Sequence, residues 1–379
     1  MKTDAAATPW PPSADLPGAV VNAGVVSQYG NPIREQRLLA SGQAFTDLSH
    51  LEAVLVTGDD RTEWLHKLAA TDFQNLPVGT SAETLFLDSQ GKIAHAAAVY
   101  LAPGAVWLLT DFGRSAALAE FLTTMRFMFQ VEISRPPISA YGTLTAAAAL
   151  PEQVVQLAEF IWQDPWPNTD TAGANYGVAD ADHPASSQPV AIAVFHRENA
   201  AAGLAAYAEL SPAGQIAWEA QRVFRWRPRP NNEAGEPVLP HELDWLRTAV
   251  QLNKGCYPGQ ETVAKVVNMG KPPRRLTYLY LEGPTGELPP PGTELLLEDG
   301  TAAGILTSVA QHAIAGPVAL ALLRRSVPVT AILHTGDFVA SQVEIVGASG
   351  KSSVSPVDRP GRELRPLPGA PNRRGNLNA

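Results

Sequence analysis

Cys256 is the only cysteine among 379 residues, and it lies in LNKGCYPGQETVAK (252–265), between Gly255 and Tyr257 and two positions after Lys254. A thiol beside an ammonium and just ahead of a helix start is more nucleophilic and more oxidisable than an ordinary one. Glycine next to it lets a ligand approach the backbone closely. The same stretch also suits a small buried hydrophobe in a tight turn, and the residues alone leave both readings open. Pro258 fits the first position of a helix and Glu261 carries the negative charge favoured near its N-terminus. Gly270 followed by Lys271-Pro272-Pro273 stops it, so a helix is predicted over 258–268, although the β-branched run from Thr262 to Val267 also suits a strand.

No other motif offers chemistry as specific. The eight histidines form no HxxxH pair, one cysteine cannot ligate a cluster, and neither GxxxxGK[ST] nor a strand-borne GxGxxG is present. A protein metal site is therefore not expected. Asp72, His95 and His241 stand isolated and read as structural. Trp218, Trp226 and Trp245 suit a core, or the walls around a flat conjugated ligand.

The elements that must hold these residues are those of a globular chain, 45% hydrophobic and 17% charged. A net charge of −9 argues against a general nucleic-acid surface. No apolar run approaches the roughly 18 residues of a membrane span, and no signal peptide is recognisable. With one cysteine no intramolecular disulfide can form, which fits a reducing cytoplasm. Residues 1–35 and 347–379 are expected to be unstructured, the second stretch being a tail with six basic and two acidic side chains.

Between them, strands are predicted at 53–57, 85–87, 93–101, 106–110 and 129–133, with helices from Gly58-Asp59-Asp60 and over 114–126. Asp88-Ser89-Gln90-Gly91 reads as a hairpin turn. This is the pattern of an α+β sandwich of the split βαβ kind. A second unit is expected to follow, with strands at 141–148 and 190–195, helices at 152–161 and 213–225, and a surface loop at 164–188. Short strands from Leu276 onward predict a small β-barrel.

KGCYPGQE (254–261) resembles the signature K-G-C-Y-x-G-Q-E of the YgfZ family of folate-binding proteins, a branch of the glycine-cleavage T-protein (aminomethyltransferase) superfamily. All seven fixed letters are present, and AWEAQRVFRWRPR (217–229), PHELDWLRTAVQLNKGCY and ETVAKVVNMGKPPRRL (261–276) extend the similarity over roughly 40–346. The resemblance implies an α+β architecture of two ferredoxin-like units forming a folate-binding region over 36–273, then a β-barrel over 274–346. It implies tetrahydrofolate as cofactor and a role in assembling or repairing iron–sulfur enzymes, with those clients or their assembly factors as partners. Neither nucleic acid, membrane nor a second copy is expected.

It carries over Cys256 and Lys254 as the reacting pair, and Lys254, Tyr257, Gln260 and Glu261 as folate-binding residues beside the thiol. Arg222, Arg229, Glu219 and Trp226 are candidate folate contacts, the arginines for an anionic tail. Two departures stand out. His95, in GKIAHA (91–96), occupies the place where T-proteins carry an aspartate. Phe224 occupies that of their pterin-gripping glutamate, with Glu219 nearby. They disfavour aminomethyl transfer of the glycine-cleavage type, and so count against the alternative activity, a folate-dependent one-carbon (aminomethyl or methyl) transferase or demethylase.

Overall fold

The structure is a computed structural model that describes residues 11–356. Two five-stranded sheets and a closed six-stranded barrel organise it. The first sheet is antiparallel throughout and runs, in spatial order, Ser81–Leu87, Ile93–Ala102, Ala105–Thr110, Glu52–Thr57 and Glu132–Ser134. The hairpin at one edge of this sheet turns where Asp88 Oδ1 accepts from the backbone N–H groups of Gln90 (2.8 Å) and Lys92 (2.9 Å). That Asx turn and Gly91 at φ +76° fix the register. Helices Arg61–Leu68 and Ser115–Thr124 cover one face, burying Trp64, Leu65, Leu118 and Leu122.

The second sheet runs Phe160–Gln163, Ala191–His196, Ile138–Thr143, Ala44–Asp47 and Ser211–Ala213. Its strand Ala44–Asp47 precedes the entire first sheet, so the two units are interleaved, not consecutive. Ser211–Ala213 pairs parallel to that strand. The barrel orders Arg274–Glu282, Gly316–Arg324, Ala302–His312, Glu294–Leu296, Leu333–Thr335 and Phe338–Glu344, the last strand returning to the first. The α+β class with a C-terminal barrel is thus the one the sequence predicts.

Several expectations are corrected. Residues 11–35 are folded: Val20–Asn22 and Val25–Gln28 form a hairpin, and a helix runs Pro32–Ala40 behind its Asn31 cap. Glu35, 5% exposed, accepts from Tyr29 N (2.8 Å) and Gly214 N (2.9 Å), locking this segment to the helix Gln215–Phe224. The 164–188 stretch is not a purely superficial loop: between exposed positions it buries Trp166, Ala174 and Tyr176. The helix expected over 152–161 ends at Leu157, and Phe160–Gln163 is a strand. Residues 347–356 pack back onto the fold, with Ser353 N bonded to Asn175 O. The rest of the expected tail, and residues 1–10, lie outside the described residues.

Candidate functional site

Between the two sheets, under the helix Gln215–Phe224, lies a cavity of about 160 Å³. Ala96, Ala98 and Leu109 wall it from the first sheet, and Trp162 and Ile192 from the second. It opens into a vestibule of about 620 Å³ bounded by the hairpin turn Ala23–Gly24–Val25, Phe112, Leu288 and barrel residues Val309–Gln311. His50, Gln215, Glu219 and Arg229 line both spaces and so form the throat.

The helix places Glu219 and Arg222 one turn apart, and Arg222 clamps Glu219 through two bonds, Nε to Oε2 (2.9 Å) and Nη2 to Oε1 (2.5 Å). Its Nη1 reaches Glu233 Oε2 at 2.9 Å and Nη2 donates to Ser308 Oγ at 2.5 Å, so one guanidinium ties helix, following segment and barrel together. Burial opposes the charge of Glu219, but Arg222, Arg229 and His50 outweigh it and hold the carboxyl below its ordinary range. A quarter of the Glu219 side chain remains open. Arg229 Nε meets both oxygens of Asp111 (2.8 and 2.9 Å). Its Nη2 lies 3.3 Å from His50 Nε2. Burial first, and Arg229 second, push His50 down to about 4, so the ring is neutral near pH 7. Deeper in, Arg227 is paired with Glu83 (2.7 Å) and Asp164 (3.0 Å).

The signature loop lies apart from this cavity. Cys256 is exposed. Lys254 turns inward, donating to His66 O and Ala69 O (both 2.5 Å) and lying 4.9 Å from the Tyr257 ring centroid. Burial lowers its pKa to about 8, against the pull of Asp72 and Cys256. Tyr257 is buried beneath the loop, and Gln260 Nε2 donates to Lys254 O at 3.1 Å. Glu261 is exposed on the helix, which begins at Gln260 after Gly259 (φ +79°), two residues later than predicted. His66, whose Nδ1 lies 2.9 Å from Asp72, flanks Gly255.

Of the residues singled out by sequence, Glu219, Arg222 and Arg229 therefore meet at the cavity. Cys256, Lys254, Tyr257, Gln260 and Glu261 gather in a second, superficial cluster. Trp226, at φ +55°, packs against His183 and Tyr278 outside the cavity lining; Trp218 and Trp245 are the walls instead. Phe224 stacks on His312 at 4.0 Å, and the carboxylate that this helix gives the cavity is Glu219. His95 turns toward Phe86 and Phe121, and strand alternation gives the cavity Ala96 in its place. Missed were His50, Glu83, Asp111, Asp164, Arg225 and Arg227, all in the lining. The arginines carried a legible signal: residues 225, 227 and 229 alternate in a proline-punctuated segment.

No protein-family profile matches the chain. It is 27% identical, over 305 residues, to a chloroplastic protein of Arabidopsis thaliana provisionally named a transferase, covering 77% of this chain and 67% of that one. In three dimensions it resembles the glycine cleavage system aminomethyltransferase T of Bartonella henselae. The TM-score is 0.66 over 87% of this chain and 94% of that one, at 16% identity, a likeness of fold. Among the described residues, no helix is long and apolar enough to cross a membrane.

Proposed function

We propose that this chain binds a tetrahydrofolate in the central cavity and serves iron–sulfur enzymes, in assembly or repair, through the thiol of Cys256. One observation carries the reading. A fold like that of an aminomethyltransferase combines a cavity edged by Glu219 with a complete KGCYPGQE loop whose cysteine is displayed on the surface, outside the cavity lining. An exposed thiol can meet another protein, and the motif's resemblance to the YgfZ family supports an iron–sulfur enzyme as that partner.

The residues present fit a reduced folate. The N–H edge of an aminopyrimidinone calls for a carboxylate acceptor, and Arg222 keeps Glu219 ionised for that task. Trp162, Trp218 and Trp245 supply aromatic faces along the lining. His50 Nδ1 is buried with no partner in the fold. Arg229, at the throat, is placed for an anionic tail. A bound folate supplies the nitrogen that takes up a one-carbon unit; the chain's apolar walls exclude water and its carboxylates orient the ring.

Calorimetry with 5-formyltetrahydrofolate tests the binding half: Glu219→Gln should weaken binding at least tenfold, and equal binding by both proteins would refute the cavity assignment. For the second half, a host lacking its own copy is assayed for cluster-dependent enzymes under oxidative stress. Wild type should restore them and Cys256→Ser should not, although it still binds folate. Full rescue by Cys256→Ser would remove the thiol from the function.

A second reading, a folate-dependent one-carbon transferase, is favoured by one feature: Asp111 and Glu83 bring carboxylates to the cavity that the His95 strand does not. Tetrahydrofolate and an aminomethyl thioether would then yield 5,10-methylenetetrahydrofolate with release of ammonia and the free thiol, and no product from such donors would exclude it.

A further inference from the structure

Four arginines line the cavity, and four carboxylates line it with them. Arg222 takes Glu219, Arg227 takes Glu83 and Asp164, and Arg229 takes Asp111. Three guanidinium groups thus engage all four carboxylates. Arg225 is left over. It is 3% exposed, has no ion pair among the described residues, donates through Nη2 to Gln188 O (2.5 Å), and has no partner at all for its Nε. Arg227 likewise keeps a buried Nη1 without a partner.

A buried charge left unpaired is costly, and a ligand of opposite charge would relieve that cost. Asp164 cannot serve. Both its oxygens are held by Arg227, at 3.0 and 3.2 Å, and Oδ1 also accepts from Trp166 N. Burial lowers the pKa of Arg225 to about 10, with Asp164 pulling the other way and Arg227 adding to the fall. Arg225 does not line the vestibule, so the unmet charge belongs to the cavity alone.

We propose that the cavity holds, at Arg225, the carboxylate of a compact aliphatic monocarboxylate. The lining charges balance overall, four guanidinium groups against four carboxylates, so the case for an anion is local. Arg225 has no carboxylate on it and an open Nε, and a single carboxylate meets less repulsion from Asp164 and Glu83 than a phosphate dianion would. The guanidinium fork suits a carboxylate's two oxygens. Val190, Ile192, Trp162 and Trp245 provide an apolar wall for the remainder. The volume, about 160 Å³, suffices, since an engineered apolar cavity of ~150 Å³ takes up benzene. This inference does not depend on the folate assignment.

The probes are propionate and its amide, titrated against the full chain at constant ionic strength and followed by the fluorescence of Trp162 and Trp245. Propionate should saturate in the millimolar range and propionamide should bind at least tenfold more weakly. Arg225→Gln should lose propionate binding at least tenfold and cease to distinguish acid from amide, with Arg225→Lys intermediate. Propionate should also raise the melting temperature of wild type but not of Arg225→Gln. Equal binding of acid and amide, retained discrimination in Arg225→Gln, or no saturation by tens of millimolar would each overturn the proposal. So would displacement of propionate by 5-formyltetrahydrofolate but not by a tail-less tetrahydropterin, joined to loss of folate affinity in Arg225→Gln. That outcome would assign the anion to the folate's own glutamate.

Discussion

Gly91 and Gly259 meet backbone to backbone. A Cβ on Gly259 would come within 2.8 Å of Gly91 Cα and 2.6 Å of Asp88 O, and one on Gly91 would come within 2.9 Å of Thr262 Cβ. The hairpin that feeds the cavity wall and the loop that displays Cys256 are interlocked through these two residues, both at positive φ.

Gly259→Ala should therefore cost well beyond the ~1–2 kcal/mol of a left-handed alanine alone. Gly104→Ala is the control, since Gly104 has φ +76° and open space around its Cβ. Urea unfolding should show the larger loss at 259; equal losses would mean the interlock yields at no cost.

Arg222→Ala strips Glu219 and the fully enclosed Glu233 of their shared partner. Breaking a buried pair from one side typically costs ~3–5 kcal/mol. Glu219→Gln should cost far less, because a quarter of its side chain is open. Denaturant midpoints that rank the two variants the other way would contradict the clamp described here.

Lys254 is spent on structure. Its ammonium satisfies His66 O and Ala69 O, so Lys254→Ala should destabilise by ~1–3 kcal/mol through the carbonyls left unpaired. Affinity for 5-formyltetrahydrofolate should stay within twofold of wild type. A tenfold loss would place the lysine in the binding site after all.

Acid should unfold the protein through its buried histidines. His241, fully buried with Nε2 3.2 Å from Val263 O, has its pKa lowered to about 4, by burial against that bond. The unfolded chain, titrating near 6.5, binds more protons than the fold between pH 6.5 and 4. Stability is accordingly present above 6.5 and falls as pH drops through that window, by about 3 kcal/mol for this group. His241→Gln should flatten the pH dependence of urea unfolding over that range; an unchanged slope would show that His241 does not contribute.

What the sequence revealed follows the range of the forces involved. The hairpin around Asp88–Gly91 was legible because its turn chemistry is local, and the helix over 215–224 because its apolar stripe is. Ala44–Asp47 was not, since four residues gain strand identity only by pairing with segments nearly a hundred or more positions away. The 164–188 stretch misled because proline, glycine and aspartate read as surface, while Trp166 and Tyr176 are buried against distant parts of the chain. Glu219 was found as a neighbour of the expected position. The other partners of its clamp Arg222, namely Glu233 and Ser308, come from two further regions of the chain, and their meeting is a fact of three dimensions only.

The vestibule draws its walls from Ala23–Val25, Phe112, Leu288 and Val309–Gln311, spread over nearly three hundred positions of the chain. During synthesis, then, the throat has no outer wall until the barrel has emerged from the ribosome and closed, its last strand against its first. A nascent chain can form either sheet without being able to retain a ligand. On the ligand binding proposed above, retention would mark completed folding, and a cell in which ligand is scarce would hold finished molecules with Arg225 unpaired.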